Sequence, residues 1–511
     1  MIKNLLKVAF RNVKKEKFFS LLNILGLTIG TICILFISLY ITDELSYDKF
    51  HQQADRIYRI NQTFIWGDDD NLFGSTGPAV ADALRTEIPE FDHVTRVHTP
   101  GNLTVSYEKR QPFAVFEEGE VLAVDANFLE VFTFPALEGD NQTMLDQPNS
   151  VVLTETTRKR YFGENEAMGE LLWIGEREQK KAYRITGILD DVPGNSHIEF
   201  DMLISMSSIP RVADQNWSWI WTTFVTFAVL NEQADPAQIN LANRLENVPR
   251  KHAGVSLKRL QNVTFEEWEA DGKEWKLYGQ PLLDIHLNSA GVYSRLNSVN
   301  DILTIYIFGT IGLLIFIMCL INFINLTTAR SFKRAKEIGI RKVVGSSRNN
   351  LIFQFLAESI LISCIAILLG VILTQWLMPF FNVLSGKTMT LNLFERPMLL
   401  AILFVAPFIT GILAGFYPAL VMTAFSTIKS LKNKTGDFSV KGNLRNVLVV
   451  LQFTVSIVFI ASTIVVFNQL QYQRNLDLGF EKDNKLIINR VDRLDASMES
   501  FRNELMEMRN V

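Results

Sequence analysis

Five apolar runs long enough to cross a bilayer punctuate this 511-residue chain, and they limit its fold more than any other feature. They occupy residues 20–42, 301–329, 351–381, 398–425 and 446–468. A spanning helix needs about 20 apolar residues, because hydrocarbon offers its backbone no outside hydrogen-bond partner. The mean hydropathy of +0.14 is high for a soluble protein and agrees with that reading. The net charge of −4 hides a partition that orients the runs. Residues 43–300 hold 40 acids against 23 Lys and Arg, whereas the short linkers are basic. Basic linkers stay in the cytoplasm, so 43–300 is expected on the other side of the membrane. An acidic soluble part also argues against nucleic acid as a partner.

The basic linkers differ in character. Residues 1–19 place Ile2, Leu5, Ala9 and Val13 at helical spacing among six Lys and Arg, the pattern of an interfacial amphipathic helix on membrane lipid. Residues 330–350 carry seven Lys and Arg, with Glu337 the only acid. The stretch 330–344 reads as a helix continuing the second span, broken at Gly345-Ser346-Ser347 with a serine capping the next helix. Residues 426–445 form the third basic linker. Gly26 and Gly30 in the first run, and Gly411 and Gly415 in the fourth, have the four-residue spacing that lets helices approach closely. Asn322 and Asn325 are expected to hydrogen-bond across helices. Pro418 is expected to bend or end the fourth helix, and Glu358 to face protein or water.

Residues 43–300 read as an α+β domain, with two lobes as an option. Strands are expected at 56–63, 94–97, 103–107, 113–124, 150–153, 171–174, 182–189, 217–230 and 275–281. Helices are expected at 78–88, 127–132, 155–162 and 237–252, with Thr154 capping the third. Residues 469–511 read as the start of a second external domain, with a strand at 485–492. The basic prelude, span and strand repeat the order of residues 1–63, so the chain reads as the first part of a duplicated unit.

Chemical motifs fail. Ser385-Gly386-Lys387-Thr388 resembles the end of a phosphate-binding loop, but Phe381 stands where the first glycine is required. His93 and His98 are spaced wrongly for a metal pair and read as solvated. Asp68-Asp69-Asp70 reads as a solvated turn, without the Gly and Glu of a calcium loop. Cys33, Cys319 and Cys364 all lie inside apolar runs, so 43–300 has no disulfide framework. No catalytic residue, metal or cofactor is expected.

Several stretches resemble the MacB/FtsX-like ABC transporter permeases. They include LKVAFRNVKKEKFFSLLNILGLTIG near the N-terminus and then DELSYDKFH and DRIYRIN. VDANFLEVFTFPALEGD and SVVLTETTRKRYFGENEAMGE follow in the domain, and NFINLTTARSFKRAKEIGIRKVVGSSRNNLIFQFLAES crosses the second linker. The resemblance implies a polytopic α-helical membrane protein with a MacB-type periplasmic core between the first two spans. It implies no ATPase of its own, an ABC ATPase partner in the cytoplasm, and a second permease unit as homodimer or intrachain duplicate. It places the chain in the inner membrane of a Gram-negative bacterium. Its work would be efflux or extraction of an antimicrobial, peptide or lipoprotein, with a periplasmic adaptor as partner. The alternative is an FtsX-like regulator of a cell-wall hydrolase; a third reading, apart from the resemblance, is a membrane-anchored sensor without an ATPase. ATPase coupling is then expected at 330–350, through Arg334, Lys336, Glu337, Arg341 and Lys342 around an apolar knob of Ile338 and Ile340.

Overall fold

The computed structural model describes residues 10–12, 14–66, 69–109, 114–175, 180–296, 299–393, 397–423, 442–476, 488, 491 and 497–508. The apolar face expected at Ile2, Leu5, Ala9 and Val13 lies outside them, as does nearly all of the strand expected at 485–492. The chain divides into two compact units, Met1–Asn433 and Lys434–Val511.

The first unit opens with α1 (Lys17–Glu44), then β1 (Ile57–Trp66), β2 (Asp69–Phe73), α2 (Ala79–Glu87), β3 (Phe91–His98) and β4 (Leu103–Tyr107). β5 (Ala114–Glu118), β6 (Val121–Val124), α3 (Phe128–Val131), β7 (Ala136–Glu138), β8 (Ser150–Thr154) and α4 (Glu155–Phe162) follow. Next come β9 (Leu171–Ile174), β10 (Lys181–Leu189), β11 (Met202–Ser205), α5 (Pro210–Asp214) and β12 (Phe224–Leu230). The domain closes with α6 (Leu241–His252), α7 (Gly254–Gln261), α8 (Phe265–Ala270), β13 (Glu274–Pro281), α9 (Leu282–Ile285) and β14 (Val292–Tyr293). Three long helices complete the unit: α10 (Ile302–Val343), α11 (Arg348–Ser385) and α12 (Pro397–Thr423). The second unit contains α13 (Gly442–Arg474) and α14 (Met498–Glu507). Among the described residues, five helices are long and apolar enough to span a membrane.

The fourteen strands among the described residues join one sheet, in the order β14-β2-β1-β12-β3-β6-β11-β8-β10-β9-β4-β5, with β13 beside β1 and β7 beside β10. The ten residues of β1 let it pair with β13 along one edge and with β12 and then β2 along the other. Its buried Ile57 and Ile60 enter two different cores. One core gathers Phe128, Phe132, Phe134 and Phe227; another seats Leu84, Leu245 and Trp268 over the sheet. Arg59 is fully buried, donating to Asn61 Oδ1 and Gln280 Oε1 at 2.8 Å each. Burial pulls its pKa down to about 10.

Several local expectations change. The strand expected at 113–124 is two strands, because β5 forms a hairpin with β4 while β6 joins β3 and β11. Only 224–230 of the expected 217–230 strand is extended, because Trp219 is drawn into the core beneath the helices, meeting Trp275 edge-on. Asp69 and Asp70 pair through their backbones with β1 rather than forming a turn. His98 is buried, stacked on Phe224 with ring centroids 4.8 Å apart, so it is not solvated. Pro418 does not end α12, which runs on to Thr423.

The membrane bundle of the first unit packs α1, α10, α11 and α12 together. Asp301 caps α10 by accepting from Leu303 N–H. From there the helix is unbroken for 42 residues, about 63 Å at 1.5 Å per residue. A hydrocarbon core is about 30 Å thick, so several turns of α10 must extend beyond it.

Candidate coupling site

The distal end of α10 forms an elbow. Gly345 takes φ +103°, and the Ser347 side chain caps α11 by accepting from Asn350 N–H, as the sequence implied. Ile338 is buried against Leu351, Phe355 and Ala419, whereas Ile340 is 50% exposed. Residues two apart on a helix are separated by about 200°, so these two isoleucines cannot share one knob. Ile338 holds the elbow to the bundle. The exposed apolar face is instead Ile340, Val343 and Val344, spaced i, i+3 and i+4.

Two expected docking cations also act inside the chain. Arg341 Nη1 donates to Gln354 Oε1 at 3.0 Å, bracing the two arms of the elbow. Lys342 Nζ donates to the Thr423 carbonyl at 2.7 Å, at the last residue of α12, where a cation suits the negative helix end. Arg334, Lys336 and Glu337 lie on α10, but their side chains are outside the described residues. Glu358 is buried, as expected for a charge facing protein, and accepts from Asn12 Nδ2 at 3.4 Å.

The glycines of the spans lie at helix contacts. A Cβ on Gly26 would sit 3.1 Å from Asn322 Nδ2, and one on Gly30 would overlap Cys319 Sγ. α1 therefore packs its glycine face on α10, and Cys319 Sγ donates to the Gly26 carbonyl at 3.6 Å. A Cβ on Gly411 would lie 2.6 Å from Ile360 Cα, and one on Gly415 2.5 Å from Ser359 Oγ, so α12 packs the same way on α11. Asn325 is one turn beyond Asn322 on α10.

The other end of the bundle holds a polar cluster that the sequence did not reveal. Lys387 Nζ contacts Asp43 Oδ2 and lies 2.6 Å from Glu44 Oε1, both on the last turn of α1. The lysine side chain is 14% exposed and that of Glu44 3%. The Tyr40 and Tyr47 rings flank the ammonium, with centroids 5.0 and 5.1 Å away. Glu44 Oε2 also lies 2.6 Å from His286 Nε2 and accepts from Asn300 Nδ2 at 2.9 Å. His286 stacks on Tyr47, its ring centroid 3.4 Å away. Asn300 Nδ2 further donates to Tyr40 Oη at 3.1 Å. One cluster thus joins the end of α1, the base of the domain, the residue before the α10 cap and the turn between α11 and α12. The segment after α1 is pinned too: Asn195 Nδ2 donates to Ser46, and His197 N–H to the buried Asp48. The cluster's one sequence signal was a lysine in a failed phosphate-loop match, 343 positions beyond the glutamate it contacts.

Residues 20–242 match the family description "MacB-like periplasmic core domain" and residues 309–427 match "FtsX-like permease C-terminal". A pyoverdine export ATP-binding/permease protein, PvdT, of Pseudomonas savastanoi pv. phaseolicola is 22% identical over 423 residues, which cover 81% of this chain and 57% of that one. A macrolide export ATP-binding/permease protein, MacB, of Bdellovibrio bacteriovorus is 29% identical over 284 residues, 55% of this chain and 38% of that one. The chain thus spans less than two thirds of the length of these curated relatives. Among solved structures, the periplasmic region of MacB from Actinobacillus actinomycetemcomitans is 14% identical, covers 45% of this chain and 91% of that one, and has a TM-score of 0.29. With a MacB-like core set between its first two spans and an FtsX-like permease region following it, the chain belongs to the MacB/FtsX-like ABC transporter permease family.

Proposed function

We propose that this chain is a permease unit that receives ATP-driven motion at its elbow and delivers it to the fourteen-stranded domain, for efflux or extraction of a substrate. The observation that carries this reading is the continuity of α10. One unbroken helix runs from Asp301, next to Asn300 of the polar cluster, to the elbow at Val343. A displacement at one end of such a rod must move its other end. The face of Ile340, Val343 and Val344 supports helix-in-groove docking on a partner, with neighbouring charges fixing the register. ATP hydrolysis is assigned to a partner ATPase, because the phosphate-loop match at Ser385–Thr388 fails at Phe381 and the relatives are named as ATP-binding/permease proteins. The unit works as a pair with a second permease unit. Its place is the inner membrane of a Gram-negative bacterium, with 43–300 in the periplasm and the elbow in the cytoplasm.

The reading is tested by purifying the full chain from its host in lipid nanodiscs. An ABC ATPase should accompany it, and hydrolysis by that ATPase should change when the permease is present. A chain that purifies without any ATPase, or one whose ATPase is indifferent to it, counts against the assignment. Sidedness has its own check. Gln142 is exposed on the domain, next to the half-buried Asn141, so Gln142→Cys should react with a membrane-impermeant maleimide in cells whose inner membrane is intact. The native cysteines all lie within the spanning helices. Labelling only after the inner membrane is opened would reverse the topology.

A further inference from the structure

A cleft of about 900 Å³ opens in the domain between the end of β3, the β4–β9 side of the sheet and the segment around α5. That volume is in the range of small-molecule sites. Leu103, Ile174, Ile204 and Ile209 supply apolar wall, and Trp221 lies beside them. Two cations line the same cleft, Lys181 at the start of β10 and Arg211 on α5. Among the described residues no acid lines it, although acids outnumber bases 40 to 23 in this domain. Elsewhere in the domain cations are commonly paired, as Arg96 is with Asp125 and Arg244 with Glu90. Among the described residues Lys181 and Arg211 have no such carboxylate.

The chemistry of the lining narrows the occupant. Arg211 lies over the Trp221 ring, its guanidinium carbon 4.9 Å from the centroid. Stacking occupies the face of a guanidinium and leaves its N–H edge to receive a planar, two-oxygen anion. The Thr223 hydroxyl, on another lining residue, is buried without a hydrogen-bond partner among the described residues. His98 Nδ1 lies 3.1 Å from the Thr223 carbonyl, so that nitrogen carries the proton. Burial keeps the imidazole below its ordinary pKa, against the opposing hydrogen bond to Thr223, and nearby Arg211 and Arg295 lower it further. The ring is neutral and adds no third positive charge.

We propose that this cleft binds organic carboxylates with an apolar or aromatic body, the apolar part against the isoleucines and Trp221 and the carboxylate between Arg211 and Lys181. The carboxylate belongs either to a free organic acid or to the C-terminus of a peptide. This deepens the reading of the chain as a permease unit that delivers motion to this domain for efflux or extraction of a substrate, and rests on it. The test uses full-length protein in nanodiscs without ATPase, so its failure leaves the coupling assignment intact. Calorimetric titrations, corrected with empty nanodiscs, use 4-phenylbutyrate, N-acetyl-Leu-Phe, its C-terminal amide and inorganic phosphate. At least one carboxylate should bind saturably, with the amide and phosphate weaker by about tenfold or more, the scale of one lost charge-assisted hydrogen bond. Arg211→Gln and Lys181→Gln, both at exposed positions, should each weaken carboxylate binding by about tenfold and leave the amide unchanged. Binding of both carboxylates, or of one alone, supports the site, and the pattern identifies the source. Equal binding of acid and amide, tighter binding of phosphate, indifference to Arg211→Gln, or no saturable heat with any probe would each overturn it.

Discussion

Lys387→Met should destabilise the membrane-bound protein by about 3 kcal/mol and cut ATPase coupling sharply, although residue 387 lies at the domain end of the bundle, far from the elbow. Methionine keeps most of the apolar stem and removes the ammonium. Asp43 and Glu44 then remain, two carboxylates on the last turn of α1, where the helix dipole already disfavours negative charge. Glu44 is 3% exposed and would be left with His286 and Asn300 as its partners in the cluster. Removing one member of a buried charge cluster costs more than the cluster's net worth, because the desolvated partner is left behind. The double variant Lys387→Met with Glu44→Gln should therefore be less impaired than the sum of the single variants. Thermal unfolding in nanodiscs and ATPase rates with the partner measure the two effects. A single variant within about 0.5 kcal/mol of the parent, as for an ordinary surface change, would show that the cluster holds nothing together.

That cluster also marks where the sequence stopped being informative. Apolar length and charge sign are local quantities, and they located the spans and the elbow. Thr154 capping α4 and Ser347 capping α11 are contacts within three residues, so they too could be read directly. Lys387 and Glu44 meet only because four helices and a domain base converge, and nothing in either segment names the other. The split of 113–124 has a related cause. Both halves favour extended backbone, but each finds a different partner strand. Trp217 to Thr223 has the composition of a strand, yet tertiary burial of Trp219 overrides it. The misassignment of Ile338 is of another kind. Helical periodicity alone points Ile338 and Ile340 in different directions, so a shared knob is ruled out whatever the helix packs against.

The elbow itself yields the second large effect, through two substitutions about one and a half turns apart. Val343→Asp should leave thermal stability within about 1 kcal/mol of the parent, because Val343 is 66% exposed and the new carboxylate meets only the unfavourable end of the α10 dipole. The same change should lower ATPase co-purification and ATPase stimulation by about tenfold or more if the face of Ile340, Val343 and Val344 seats in a groove, since a charge in an apolar contact is costly. Ile338→Asp should do the opposite in kind. It buries a carboxylate among Leu351, Phe355 and Ala419, so the elbow should loosen by several kcal/mol, about 3 or more, with no partner involved. Reversing Arg341 or Lys342 is a less discriminating test, because those side chains already brace Gln354 and the end of α12. The pair thus tests whether docking and scaffolding separate on opposite faces of one helix. If Val343→Asp unfolds the protein as Ile338→Asp does, or retains full ATPase binding and stimulation, the exposed face is not where motion enters and the input must be sought elsewhere on the chain.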